Sequence, residues 1–276
     1  MHTTADVLAR TAGLTGLLGA YLALVQVVLL SRLPVLERVA GFDRLTRWHR
    51  WNGHLCLYLV IAHVILQIQG YAMPRGRSFT REFWDLVAGG AFPGMVTATI
   101  GTVLLVAVAW SSVVVVRRRL NYELWYAIHL TAYAAIALSW FHEIPTGGDI
   151  NDQLNPRNAW YWRSLFLATA AVLAYRLLAP VVSALRYRMR VAEVVEEAPG
   201  VTSVRISGRR LDRLGARPGQ FFIWRFLARG HWWSAHPFSL SAAPGASSLR
   251  LTAKASGDHT ARMATLPVGT RVVAEG

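Results

Sequence analysis

Apolar residues gather into five blocks, at about residues 12–31, 48–70, 92–116, 122–143 and 160–184. Crossing the hydrocarbon core of a bilayer takes about 20 apolar residues in a helix, so the pattern predicts five transmembrane helices. After Arg190 the period changes. "VAEVVEEAPGVTSVRISG" alternates apolar and polar positions around a Pro-Gly turn, and "SLRLTAKAS" repeats the alternation further on, which is the period of half-buried strands. The predicted architecture is a membrane all-α helical bundle over residues 1–188, followed by an antiparallel β domain over 189–276 that faces water.

Charge orders these elements across the membrane. The connection from Ser31 to Arg47 carries Arg32, Arg38, Arg44 and Arg47, and "RRRLNYE" joins the third and fourth segments; basic short loops stay cytoplasmic. "HEIPTGGDINDQLNPRN" is acidic and rich in Gly and Pro, as expected outside. The loop with Arg75, Arg77 and Arg81 breaks the pattern, because alternation makes it external. Five spans and a cytoplasmic C-terminal domain place the N-terminus outside, unless a first helix is missing.

The chain is 54% hydrophobic with a formal net charge of +14. Basic residues flanking apolar spans account for the charge, and no basic run interleaved with aromatics points to nucleic acid. The lone Cys56 excludes an intrachain disulfide and any four-cysteine cluster, and is expected to pack as a small apolar side chain. The first apolar run is too long for a signal-peptide core and no small-residue cleavage site follows, so it reads as a retained anchor.

Ionisable groups inside a bilayer are costly and by default mark function. The second segment carries His49 and His63, fourteen residues apart; the fourth carries His129 and His142, thirteen apart. Those spacings are about 21 and 20 Å along a helix axis, so the pairs share depths if the two helices run parallel, as alternation requires. A neutral imidazole is the usual protein ligand of haem iron, and two facing imidazoles give a six-coordinate site that passes electrons without binding substrate. Packing histidines are the competing reading; zinc fits less well, since its ligands converge within a few Å. Fourteen residues return to within about 40° of the same helix face and thirteen miss by about 140°, so the fourth helix bends or its two sites lie on different sides. His54 falls on another face and reads as a polar packing residue.

Residues 218–241, "PGQFFIWRFLARGHWWSAHPFSLS", place His-Pro-Phe-Ser-Leu-Ser after a Pro-Gly-Gln strand. This stretch resembles the flavin motif of the ferric reductase and NADPH oxidase superfamily, and the two histidine pairs resemble that family's ligands for two b-type haems. The resemblance implies an inner haem on His49 and His129, an outer haem on His63 and His142, and a six-stranded Greek-key barrel binding FAD. His236, Pro237, Phe238 and Ser239 match the stretch along the isoalloxazine ring, with Ser239 or Ser241 offering a hydroxyl to its edge. "KASGDHTARM" matches the pyrophosphate segment, making Gly257, His259 and Thr260 candidates, since helix N-termini favour anions. The implied activity is an oxidoreductase of the cell membrane: electrons from NAD(P)H pass through FAD and two haems to an outer acceptor, oxygen or a ferric chelate.

The chain departs from the family in three ways. It stops at "RVVAEG", before any nucleotide-binding domain and with no G-x-G-x-x-G stretch, so the barrel is expected to be incomplete and the chain not to turn over with NADPH by itself. It shows five spans where the family usually has six. Where some relatives place an aromatic ring between the haems, this chain has Ala135, leaving Tyr133 or Tyr58 as substitutes. Two rival readings are a haem-binding relay subunit that works with a partner and uses no flavin, and a proton-conducting protein without haem.

Overall fold

The computed structural model describes residues 3–147, 156–232 and 235–275; residues 148–155 of the acidic loop, and Trp233 and Ser234 of the aromatic stretch, lie outside them. Five helices are long and apolar enough to cross a bilayer. They are α1 (Thr4–Leu29), α3 (Phe42–Ala72), α5 (Met95–Ser112), α7 (Tyr122–Thr146) and α8 (Pro156–Tyr187), with short α2 (Pro34–Ala40), α4 (Phe79–Ala88) and α6 (Val114–Arg117) between them. The chain is a multi-pass membrane protein, and its spans expose the apolar surface a bilayer covers. It divides into two compact units, Met1–Leu173 and Ala174–Gly276.

Helices start before their apolar blocks because polar residues cap them. Thr3 Oγ1 accepts from the Asp6 amide and the Asp6 carboxylate accepts from the Thr3 amide, a reciprocal cap that opens α1 eight residues ahead of the hydropathy signal. Gly41, at φ +77°, breaks the chain between α2 and α3. α4 follows a Ser78 cap and buries Glu82 completely. Glu82 pairs with Arg75 and lies 3.5 Å from Arg77, which also meets Asp85 at 2.7 Å. The basic loop that broke the charge pattern is therefore an ion-pair cluster.

Within the first unit α1 packs along α3 and α5 along α7, while α3 and α7 make little direct contact. Small residues set the close approaches, as expected where packing rather than hydrophobicity joins helices. Cys56 is buried at the first interface and its thiol donates to the Gly19 carbonyl. At the second, a Cβ on Gly101 would stand 2.8 Å from the Ala135 carbonyl and 3.0 Å from Ser139 Oγ. Gly101→Ala is expected to push α5 off α7 at a net cost of about 1 kcal/mol, overpacking outweighing the gain in helix propensity. Thermal unfolding of the full chain in detergent checks it, and an unchanged or raised midpoint would contradict the contact.

The second unit is built from β1 (Arg190–Ala198), β2 (Val201–Ser207), β3 (Phe221–Phe226), β4 (His236–Ser239), β5 (Ser248–Lys254) and β6 (Val272–Glu275), with a four-residue helix α9 (Asp258–Ala261) after β5. They form two antiparallel sheets, β1-β2-β5 and β4-β3-β6. Isolated bridges Arg190–Arg271 and Leu240–Leu251 join the sheets at both edges, so the strands run round in the order β1-β2-β5-β4-β3-β6, a Greek-key path. Alternation works as read: Val204, Ile206, Phe222, Trp224, Phe226, Leu249 and Leu251 fill the core, and the Pro199-Gly200 turn joins β1 to β2 with Gly200 at φ +72°.

The division between the two compact units falls within α8, ahead of the expected boundary at 188/189. From Ala174 onward this helix serves the sheet: Arg176 pairs with Glu275 at 2.6 Å, Ser183 Oγ donates to the Ala274 carbonyl at 3.2 Å, and Tyr187 enters the core.

Candidate functional site

His49 on α3 and His129 on α7 bring their rings to a centroid separation of 6.1 Å, tilted by 51°. Two imidazoles sharing one metal through nitrogens about 2 Å from it place their centroids about 6 Å apart. The helices that carry them hardly touch otherwise, so the rings meet across a gap that backbone packing leaves open. His49 Nδ1, beside the Gln26 backbone, is buried without a well-formed hydrogen bond. Among the described residues no three His, Cys, Asp or Glu converge on a bare metal ion. A pair of facing imidazoles therefore suits a metal that brings its own equatorial donors, as haem does.

The second pair is arranged by backbone carbonyls. His63 Nδ1 lies 2.7 Å from the Ala12 carbonyl of α1, and His142 Nδ1 lies 3.1 Å from the Pro93 carbonyl before α5. A carbonyl only accepts, so each Nδ1 carries the ring proton and each Nε2 keeps its lone pair. Ligating histidines are oriented in this way by the bond their other nitrogen makes. A hydroxyl, Thr146 Oγ1, stands 3.4 Å from His142 Nε2, though its proton goes to the His142 carbonyl. α7 is continuous from Tyr122 to Thr146; His129 meets His49 of α3, and His142 hydrogen-bonds to the segment preceding α5.

Other sequence candidates take humbler places. His54 Nδ1 folds back to the Arg50 carbonyl at 2.7 Å, a local bond on the exposed face. Ala135 is buried at the crossing of α5 and α7. Gly16 is a residue the sequence reading missed: a Cβ there would lie 2.6 Å from His63 Nδ1, so the ring occupies the space this glycine leaves. No spacing rule links residues of two different helices, which is why the sequence carried no signal for it.

In the second unit the "HPFS" stretch is β4, and the alternation of a strand divides it. His236 and Phe238 pair with the core residues Trp224 and Phe222 and are half-buried. Pro237, Ser239 and then Ser241 are exposed, alongside the 38% exposed Phe221 of β3. A flat ring laid on this sheet meets the exposed strip, not all four motif side chains. The Ser241 hydroxyl accepts from Thr252 Oγ1 at 2.9 Å.

His236 stacks on His259, centroids 3.7 Å apart and planes at 30°, and His231 meets His259 edge-on at 5.2 Å. His231 sits in a turn outside any motif, so the sequence did not reveal it. Both ring nitrogens of His259 are buried with no hydrogen-bond partner among the described residues. Burial first, then the neighbouring His236, His231 and Arg262, hold the His259 imidazolium down to about 4. In the turn expected to meet the pyrophosphate, Thr260 Oγ1 accepts from the Ser256 and Gly257 amides at 2.9 and 3.1 Å. A helix of four residues has little macrodipole, and Thr260 caps the turn that leads into it.

Residues 15–140 match the family model described as ferric reductase like transmembrane component. The match takes in α3 and most of α7, including His49, His63 and His129, and ends two residues before His142. No curated protein matches the chain.

Proposed function

From the premise that residues 15–140 are a ferric reductase-like transmembrane domain, we propose that the chain is an oxidoreductase passing electrons across the membrane from NAD(P)H, through FAD and two b-type haems, to oxygen or a ferric chelate outside. When bound, FAD accepts two electrons together and releases them singly, and the haems carry them one at a time. His49 and His129 hold the inner group, His63 and His142 the outer. The carbonyls of Ala12 and Pro93 fix the tautomer that leaves Nε2 free for iron. Pro237, Ser239, Ser241 and Phe221 offer the flavin an outward, partly aromatic strip. Basic loops support a cytoplasmic side for the sheet unit, where NAD(P)H would supply the hydride.

The observation that carries the reading is the 6.1 Å approach of His49 and His129. One observation favours the alternative of a haem-binding relay subunit that uses no flavin: the amides expected to meet the pyrophosphate are taken by Thr260. The dithionite-reduced minus oxidised spectrum of the purified full chain, with cofactor stoichiometry, separates the possibilities. A b-type spectrum at about two haems per chain with retained fluorescent flavin is expected. Haem without flavin would move the assignment to the relay, and a folded, membrane-inserted chain with no Soret band would overturn both.

A further inference from the structure

The geometry points to Ser112, the last residue of α5, as a positioning residue of the inner haem site, an inference that rests on His49 and His129 being haem ligands. Ser112 Oγ donates its single proton to the Val108 carbonyl at 2.8 Å. Its oxygen then serves its remaining polar neighbours only as an acceptor. Two donors stand around it: Trp125 Nε1 at 3.4 Å and His129 Nδ1 at 3.5 Å. An indole nitrogen always donates. A neutral imidazole has one N–H, and facing an acceptor it places that hydrogen on Nδ1, so Nε2 of His129 keeps the lone pair for iron. Ser112 thus does for His129 what the Ala12 and Pro93 carbonyls do for His63 and His142.

The indole completes the arrangement. Trp125 lies one helical turn before His129, and the two rings pack at 4.9 Å with a 34° tilt. The Arg117 guanidinium covers the indole at 4.6 Å and donates to the Leu120 carbonyl, a further contact that holds Trp125. Ser112 and Trp125 therefore fix both the proton and the plane of one ligand. Such outer partners raise the basicity of a ligating imidazole, which favours the ferric state, and their loss typically changes metal affinity 10–100-fold.

The test is a redox titration of the haem-loaded full chain, with haem stoichiometry and low-temperature EPR, in wild type, Ser112→Ala, Ser112→Thr and Trp125→Phe. In Ser112→Ala one of the two midpoint potentials rises by the equivalent of about tenfold in ferric preference, ~59 mV for one electron, and one low-spin EPR signal shifts, while the other haem keeps its values. Ser112→Thr, which restores a hydroxyl, returns both readings toward wild type, and Trp125→Phe, which keeps a ring but no N–H, leaves the potential in place and broadens the EPR signal. If both potentials stay put in Ser112→Ala, or if Thr and Ala behave alike, the positioning role is overturned while the haem assignment stands. Wild type that binds no haem overturns the assignment and this inference together.

Discussion

His63→Ala is expected to cut haem content from about two per chain to about one, leaving one b-type potential where the wild type has two. The substitution removes a proposed ligand nitrogen and also the ring held 2.7 Å from the Ala12 carbonyl, an acceptor that keeps the Thr15 hydroxyl at 3.0 Å. Gly16→Ala separates these effects, because it leaves every ligand in place. Its Cβ would stand 2.6 Å from His63 Nδ1 and 2.9 Å from Cε1, so the ring must turn away from α1 and lose its carbonyl. In an open helix this exchange stabilises by up to about 1 kcal/mol; here it is expected to weaken the outer haem selectively with the helices intact. Haem-to-protein ratio and circular dichroism of both variants decide the matter. Two haems retained in His63→Ala would remove His63 from the ligand set, and full loading of Gly16→Ala would show that the ring is not held against α1.

This expectation combines what was visible in the sequence with what was not. Spacings of fourteen and thirteen within single helices follow from the rise of a helix, so two levels of histidine could be read from the chain. The partner that orients each ring comes from another helix, and Gly16, Pro93 and Ser112 are ordinary residues until the helices are packed. Hydropathy located five spans but started α1 and α3 late, because polar capping residues and amphipathic first turns are helical without being apolar. α4 was missed for a similar reason: ten residues whose buried face includes Glu82 have no span-like signal, and only the ion pairs with Arg75 and Arg77 show why that carboxylate is tolerated inside.

The sheet unit shows the same division. Period-two alternation placed β1, β2 and β5, although only β5 alternates in burial along its whole length; β1 buries Val191 alone, and β2 buries Thr202, Ser203 and Val204 in succession. The "HPFS" motif came through as a strand, yet motif matching treats four neighbouring residues as equivalent where a strand turns them to two faces. The segment after β5 reads by analogy as a helix terminus, and the bonds of the Thr260 hydroxyl to amides on its own turn come from the turn's fold, not from any spacing rule. The stacked His236–His259 pair was beyond reach because its members are twenty-three residues apart and meet only when β4 and β5 close the barrel.

That histidine cluster predicts how the sheet unit responds to acid. The groups facing His259 are His236 on β4, His231 in the turn before it, and Arg262 on the turn after α9, all cationic or able to become so. Burial and these neighbours keep His259 neutral down to about 4, and burial, Arg262 and His236 also lower His231. An unfolded histidine titrates near 6.5. Because the folded value is depressed, the unfolded chain binds more protons between the two: the contribution to stability is complete above about pH 6.5 and is lost as pH falls toward 4. At about 1.4 kcal/mol per pH unit per group, discounted for solvent screening, the loss is on the order of 2–3 kcal/mol, enough to loosen a small β domain. His259→Phe keeps a ring stacked on His236 and removes the proton site, so it is expected to flatten the acid response. Hydrogen exchange of β3 and β4 peptides in the full chain at pH 7.5 and 5, corrected for intrinsic rates, measures this. Wild-type strands that open in acid beside a variant that stays protected are the expected pair; equal acid sensitivity in both would place the weak point elsewhere. Since β4 carries Pro237 and Ser239, opening of this cluster would disorder the strip proposed for the flavin before the rest of the barrel yields.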